Sequence, residues 1–90
     1  MTEREKHINL LLRRIPNSPG VYQYLNKEGQ IIYIGKAKNL QRRVNSYFSK
    51  AHTNAKTRQL VAHIADIHYI VVNNEQDAFL LENNLIKEHQ

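Results

Sequence analysis

The chain has 90 residues, 13 Lys plus Arg against 8 Asp plus Glu, and a formal net charge of +5. That length allows one small domain, a hydrophobic content of 41% excludes wholesale disorder, and the lack of cysteine excludes disulfide scaffolds, thiol nucleophiles and Cys-based zinc sites. No apolar run approaches the roughly 20 residues that cross a bilayer, no signal-peptide core follows the N-terminus, and the charge favours a polyanion, so a cytoplasmic domain meeting nucleic acid is expected.

Thr2 with Glu5 forms a capping-box pattern, and Ile8, Leu11, Leu12 and Ile15 follow at helical spacing. The spacing predicts a helix over residues 3–14, ended by Pro16. Pro16 to Gly20 is a run of turn residues. Val21 to Leu25 reads as a strand, Asn26 to Gly29 as a turn, and Gln30 to Ile34 as a second, more apolar strand expected to be central, with Gly35 ending it. The short link makes the two an antiparallel hairpin. Asn39 is an N-cap for a helix over 40–48, with Leu40, Val44, Tyr47 and Phe48 on its apolar side. After a loop, residues 55–66 read as a helix with Leu60, Val61, Ile64 and Ile67 at apolar positions. His68 to Val72 is a third strand. Asn74 caps a last helix, with Asp77 at its third position, running from about 75 to the chain end without a C-cap, as in a piece of a longer protein. The order α-β-β-α-α-β-α predicts an α+β domain, a small three-stranded, mainly antiparallel sheet flanked by helices.

Two features could carry chemistry. Glu82 has Ala78, Phe79, Leu85 and Ile86 as its helical neighbours, all apolar. A carboxylate on such a face is either paired, snorkelling to water, a metal ligand or a general base. The second feature runs from strand to helix: Tyr22, Tyr33, Lys36, and then Arg43 with Tyr47 one turn on. A sheet could bring these phenols and cations together, and phosphate chemistry uses such groups. A phenol is a poor base near neutral pH unless cationic neighbours lower its pKa. Ordinary strand tyrosines and solvated cations explain the same spacing. Lys36, Lys38, Arg42, Arg43 and Lys50, interleaved with Tyr47 and Phe48, suit a nucleic-acid backbone or a solvated helix face. His63 and His68 give half of a zinc-ligand spacing with no cysteine to complete it. Tyr24 and Tyr69 are read as sheet residues.

The strings Pro19-Gly20-Val21-Tyr22, Ile32-Tyr33-Ile34-Gly35-Lys36-Ala37-Lys38-Asn39-Leu40 and Arg42-Arg43-Val44, with the Glu82 region of the last helix, resemble the GIY-YIG nuclease superfamily. Within it they are most similar to the N-terminal domain of the UvrC branch. The first motif is Gly-Val-Tyr here rather than Gly-Ile-Tyr, and the resemblance covers nearly the whole chain, so residues 1–90 are expected to form a single GIY-YIG domain. It implies a metal-dependent endonuclease that makes the 3′ incision in bacterial nucleotide excision repair. It assigns Tyr22, Tyr33, Lys36, Arg43 and Tyr47 to catalysis and Glu82 to one divalent cation, Mg²⁺ or Mn²⁺. It also implies damaged double-stranded DNA and UvrB as partners. The family's next segment carries an active-site Asn, and this chain ends before it. A non-catalytic basic DNA-binding module and another structure-specific GIY-YIG nuclease are the alternatives.

Overall fold

The computed structural model describes residues 2–49, 54–73 and 75–88, the last helix by its backbone alone over 75–79. Asn74, Lys50 and the side chain of Asp77 lie outside the described residues. Seven elements form in the expected order: α1 (Glu3–Arg14), β1 (Gly20–Leu25), β2 (Ile31–Ala37), α2 (Leu40–Ser49), α3 (Ala55–His63), β3 (Asp66–Val71) and α4 (Glu75–Glu88).

α1 begins where Thr2 Oγ1 accepts from the Glu5 amide at 3.1 Å. It ends at Ile15, whose amide bonds the Leu11 carbonyl while its own φ and ψ turn extended ahead of Pro16. The β1–β2 turn is built on Asn26, whose Oδ1 accepts from the amides of Glu28 at 3.1 Å and Gln30 at 2.9 Å. Gly29 takes a φ of 81°, which a side chain would resist. The register slips by one residue between Tyr24 and Leu25, a bulge next to the turn.

Both strand pairings are antiparallel, in the order β2-β1-β3. The expectation of a central second strand is therefore corrected: β1 is central. Every residue of β1 is buried, whereas β2 exposes Tyr33 and Lys36 along one edge. Full burial of consecutive residues means that both faces of β1 are covered. On one face Tyr22, Tyr24 and Ala37 join Ile8 and Leu12 of α1, Ile15, Leu40 and Val44 of α2, Ile64 and Ile67 in the core. Burying a side chain such as Leu40 or Ile64, each wholly inaccessible, contributes roughly 1.5–3 kcal/mol. α4 lies against β1 and β2.

Several boundaries also differ from the sequence reading, the third strand among them, which spans Asp66–Val71 rather than His68 to Val72. Gly35 does not end the second strand. It pairs with Tyr22, and the strand continues through Lys36 to Ala37 opposite Gly20. α3 ends at His63 rather than 66. Ile64 leaves helical geometry, its amide bonding the Val61 carbonyl at 3.2 Å, and the Ala65 amide then reaches the Leu25 carbonyl at 2.7 Å. The sheet captures the chain there, so β3 starts at Asp66 and Ile67 becomes a core strand residue.

Candidate active site

The site is assembled where the central strand, the β2 edge and α2 meet. Side chains alternate along β1, so Tyr22 and Tyr24 share one face. Tyr22 stands opposite Gly35 and Tyr24 opposite Tyr33. Gly35 is required by this geometry: a Cβ there would run into the Tyr22 ring at its hydroxyl end. The glycine lets the ring lie across the neighbouring strand and aim its oxygen at α2.

α2 is anchored to deliver the matching groups. The turn carbonyls of Ser18 and Pro16 accept from the amides of Leu40 and Gln41 at 2.9 and 3.1 Å. Asn39 Oδ1 caps the Arg42 amide at 3.0 Å. The first turn of α2 is thus fixed to the segment that leads into β1. Arg43 and Tyr47, one turn apart, both meet Tyr22. Arg43 Nε donates to Tyr22 Oη at 3.4 Å, and the Tyr22 and Tyr47 hydroxyls share a hydrogen bond of 3.3 Å. The Arg43 guanidinium also lies 5.8 Å from the Tyr47 ring centre. Tyr33 completes the group, its ring 6.1 Å from that of Tyr22 and 6.2 Å from that of Tyr47.

Tyr22 is fully buried, Tyr47 is half-buried, and Tyr33 is the exposed member at 37%. Burial pushes the Tyr22 phenol above its ordinary value of 10.0 and outweighs the hydrogen bonds from Tyr47 and Arg43 that pull it down. Hydrogen bonding to Tyr47, then burial, raises Tyr33, and burial, then hydrogen bonding to Tyr22, raises Tyr47. Lowering by the cationic neighbour does not win here: burial for Tyr22 and Tyr47, and hydrogen bonding to Tyr47 for Tyr33, prevail, and all three phenols are neutral at pH 7.

Lys36, Lys38, Arg42 and Arg43, with Ala37, Asn39 and Ser46, line a cleft of about 410 Å³ beside the phenols. Four of the five cations assigned to nucleic acid therefore share one surface; the fifth, Lys50, is outside the described residues. Glu82 is half-buried on α4. It shares one side of that helix with half-buried Leu81, Leu85 and Ile86, while residues 83, 84, 87 and 88 are exposed. α4 lies on β1 and β2, so the half-buried side that carries Glu82 is the one set against the sheet. Of the half-zinc spacing, His63 bonds the Gln59 carbonyl and His68 bonds Asp66. Among the described residues no group of three or more His, Asp or Glu could hold a metal.

One member was missed. Tyr24 is wholly buried, and its ring packs on those of Tyr22, Tyr33, Tyr47 and Phe48 with centres 5.2–6.2 Å apart. The i, i+2 spacing from Tyr22 on a strand was the signal that could have found it. Burial drives its phenol pKa upward, more strongly than those of its neighbours.

The family model of the UvrC-like GIY-YIG domain matches residues 18–90. UvrABC system protein C of Bacteroides thetaiotaomicron is 64% identical over 93 residues, covering 99% of this chain and 15% of that protein. The Porphyromonas gingivalis protein of the same description is 58% identical over 83 residues, covering 92% and 14%. The chain thus spans only about a seventh of the length of these relatives. The crystal structure of the GIY-YIG N-terminal endonuclease domain of UvrC from Thermotoga maritima, bound to its catalytic magnesium, superposes with a TM-score of 0.80 at 40% identity. That match covers 99% of this chain and 93% of the other. Three forms of that domain, each with a different tyrosine changed to phenylalanine, are likewise bound to the catalytic cation. With the sheet, the four helices and the residue identities all in agreement over nearly its whole length, the chain belongs to the UvrC-like GIY-YIG domain family.

Proposed function

We propose that this chain is a metal-dependent endonuclease domain that hydrolyses a DNA phosphodiester, and that it makes the 3′ incision of bacterial nucleotide excision repair on damaged duplex presented by UvrB. The convergence of Arg43 and Tyr47 on the Tyr22 hydroxyl, with Tyr33 packed alongside, next to a cationic cleft carries this reading. A phosphate seated there meets a permanently charged guanidinium, the point charge of Lys36, and hydroxyls that can turn to donate or accept.

The residues fit a divalent cation. Glu82 offers one carboxylate on the half-buried side of α4, and among the described residues no group of three or more His, Asp or Glu offers an alternative site. One carboxylate plus retained waters suits Mg²⁺ or Mn²⁺. The relative's tyrosine-to-phenylalanine forms keep their cation, which supports a carboxylate rather than a phenol as the anchor. When bound, the ion supplies positive charge that offsets the phosphate and the leaving oxygen and draws neighbouring phenols toward ionisation.

The chain's own groups do the rest. Tyr33, on the exposed edge of β2, is placed to orient the attacking water by hydrogen bonding. Tyr22 is held by Arg43 and Tyr47, and in turn keeps the guanidinium aimed at the phosphate. Arg43 stabilises the charge that develops on the phosphoryl oxygens in the transition state. Lys36 and the cleft cations grip the flanking backbone.

The test is incision of a lesion-bearing duplex with UvrA and UvrB, using the full-length Bacteroides thetaiotaomicron relative with its N-terminal domain replaced by this chain. Glu82→Ala and Arg43→Ala should each reduce 3′ nicking by about 100-fold or more. Unchanged 3′ incision in both would overturn the assignment.

A further inference from the structure

Tyr24 presents an anomaly that the reaction as described leaves unexplained. Its hydroxyl is buried and, among the described residues, has no hydrogen-bond partner. Buried hydroxyls are normally satisfied, because stranding one is costly. A phenylalanine would fill the same space without that cost. The neighbourhood is also unusual. Tyr24 touches all three phenols of the site at once: Tyr22 at 5.2 Å between ring centres, Tyr47 edge-on at 5.2 Å, and Tyr33 stacked at 5.9 Å. Tyr22 and Tyr47 share a hydrogen bond in which either oxygen can donate, and the Tyr33 ring lies 6.1 and 6.2 Å from theirs. Sealed from solvent, the Tyr24 hydroxyl sits in a ring cluster whose phenol oxygens are, among the described residues, partners of the right chemistry.

We propose that Tyr24 is a positioning residue for the incision site: its ring sets the spacing of the three phenols, and its hydroxyl is a donor to a phenol oxygen of the cluster when that oxygen gains negative charge during the reaction. Tyr47 is the acceptor this geometry favours, since its ring meets Tyr24 edge-on at 5.2 Å and its hydroxyl already belongs to the hydrogen-bonded pair with Tyr22. The unpaired hydroxyl in the resting protein is then a local cost to stability that becomes a favourable hydrogen bond once the site is charged. Tyr24 acts through its neighbours and does not reach the substrate.

This inference rests on the proposed endonuclease reading, and one set of measurements separates the two. Tyr24→Phe and Tyr24→Leu are made in the same full-length chimaera, beside Arg43→Ala and Glu82→Ala. Each is measured for melting temperature and for the steady-state kinetics of nicking on the 3′ side, with KM and kcat separated and the pH dependence of kcat followed. Tyr24→Phe is expected to melt at the same temperature or higher. Its KM should be unchanged, its kcat should fall at least tenfold, and the rising limb of its pH profile should move to higher pH. Tyr24→Leu should lose both stability and activity. A Tyr24→Phe protein with unaltered kcat and pH profile overturns the proposal, and so does one that melts lower, because its hydroxyl would then be paired in the fold. If Arg43→Ala and Glu82→Ala still nick normally, the endonuclease assignment fails instead.

Discussion

Tyr22 and Gly35 work as one unit. The ring occupies the space that any side chain at position 35 would need, and its oxygen is the meeting point of Arg43 and Tyr47. Gly35→Ala should therefore act on the site more than on the fold. The methyl must push the ring aside, at a cost of about 1–3 kcal/mol in stability, while incision falls by an order of magnitude or more as the Arg43 contact is lost. Thermal melting alongside a nicking assay checks this; a loss of stability with full activity would show that Tyr22 tolerates displacement. The same phenols fix a pH dependence. Each is raised above its unfolded value of 10.0, so the folded state prefers them neutral. The stability this preference contributes is fully present below pH 10 and is lost as pH climbs through the raised folded values. Denaturation midpoints measured from pH 8 to 12 should hold steady up to about pH 10 and decline beyond it. Replacing Tyr22 with Phe should flatten part of that decline.

At the scale of elements, α1 is tied to β3 by polar contacts at the end of the sheet where Leu25 pairs with Asp66. Asp66 accepts from His7 of α1 at 3.0 Å and bonds His68 at 3.3 Å, while Arg4 reaches the Ile64 and Val61 carbonyls at 2.8 and 2.7 Å. Burial tends to raise the Asp66 carboxyl, but hydrogen bonds from His7 and the Ile67 amide, with the nearby histidine charges, outweigh it and leave its pKa below 3.8. The stability it contributes is present above that value and disappears as pH falls through the folded pKa. Solvent screens these partly exposed groups, so Asp66→Asn should cost at most about 1 kcal/mol at pH 7. That difference should vanish near pH 2, which urea titrations at the two pH values would reveal. The elements themselves were largely legible. α1 carried its cap and its periodicity, and α2 had Asn39 at its start. Strand order was not, because the β1–β3 pairing joins positions as far apart as Gly20 and Val71, and nothing local marks it. Gln30 to Ile34 reads as more apolar than Val21 to Leu25, yet burial followed topology, so two tyrosines and a glutamine lie in the centre. The overrun of α3 has a similar cause: Ile64 and Ile67 fit helical spacing with Leu60 and Val61, but a cap and a strand bury them. Most of the site was readable as residue types at chosen positions. For Tyr24 the i, i+2 spacing from Tyr22 gave the shared face, but its contacts to β2 and α2 exist only in the folded sheet.

At the scale of the whole molecule, the question is whether the net charge of +5 acts diffusely or through one surface. Basic residues are spread widely, with Arg13 and Arg14 in the last turn of α1, but Lys36, Lys38, Arg42 and Arg43 converge on a single cleft beside the phenols. A diffuse field would attract DNA without registering it, whereas a cleft that seats phosphates next to Arg43 also sets which bond is presented. The two cases differ in salt dependence. Each phosphate contact contributes about −0.9 to the slope of log K against log salt on duplex DNA. Removing Lys38 and Arg42 together, both away from the phenol cluster, should then make the slope shallower by about two, weaken binding at every sequence, and lower nicking chiefly through KM. Arg13→Ala with Arg14→Ala removes the same formal charge from α1 and should leave both slope and KM close to the parent. Fluorescence anisotropy from about 50 to 200 mM salt, with the divalent cation chelated, isolates binding from cleavage. Equal slopes for the two double variants would mean that charge alone draws the domain to DNA. Loss of binding in the cleft variant with no metal-dependent nicking in the parent would instead describe a DNA-docking module that cuts nothing.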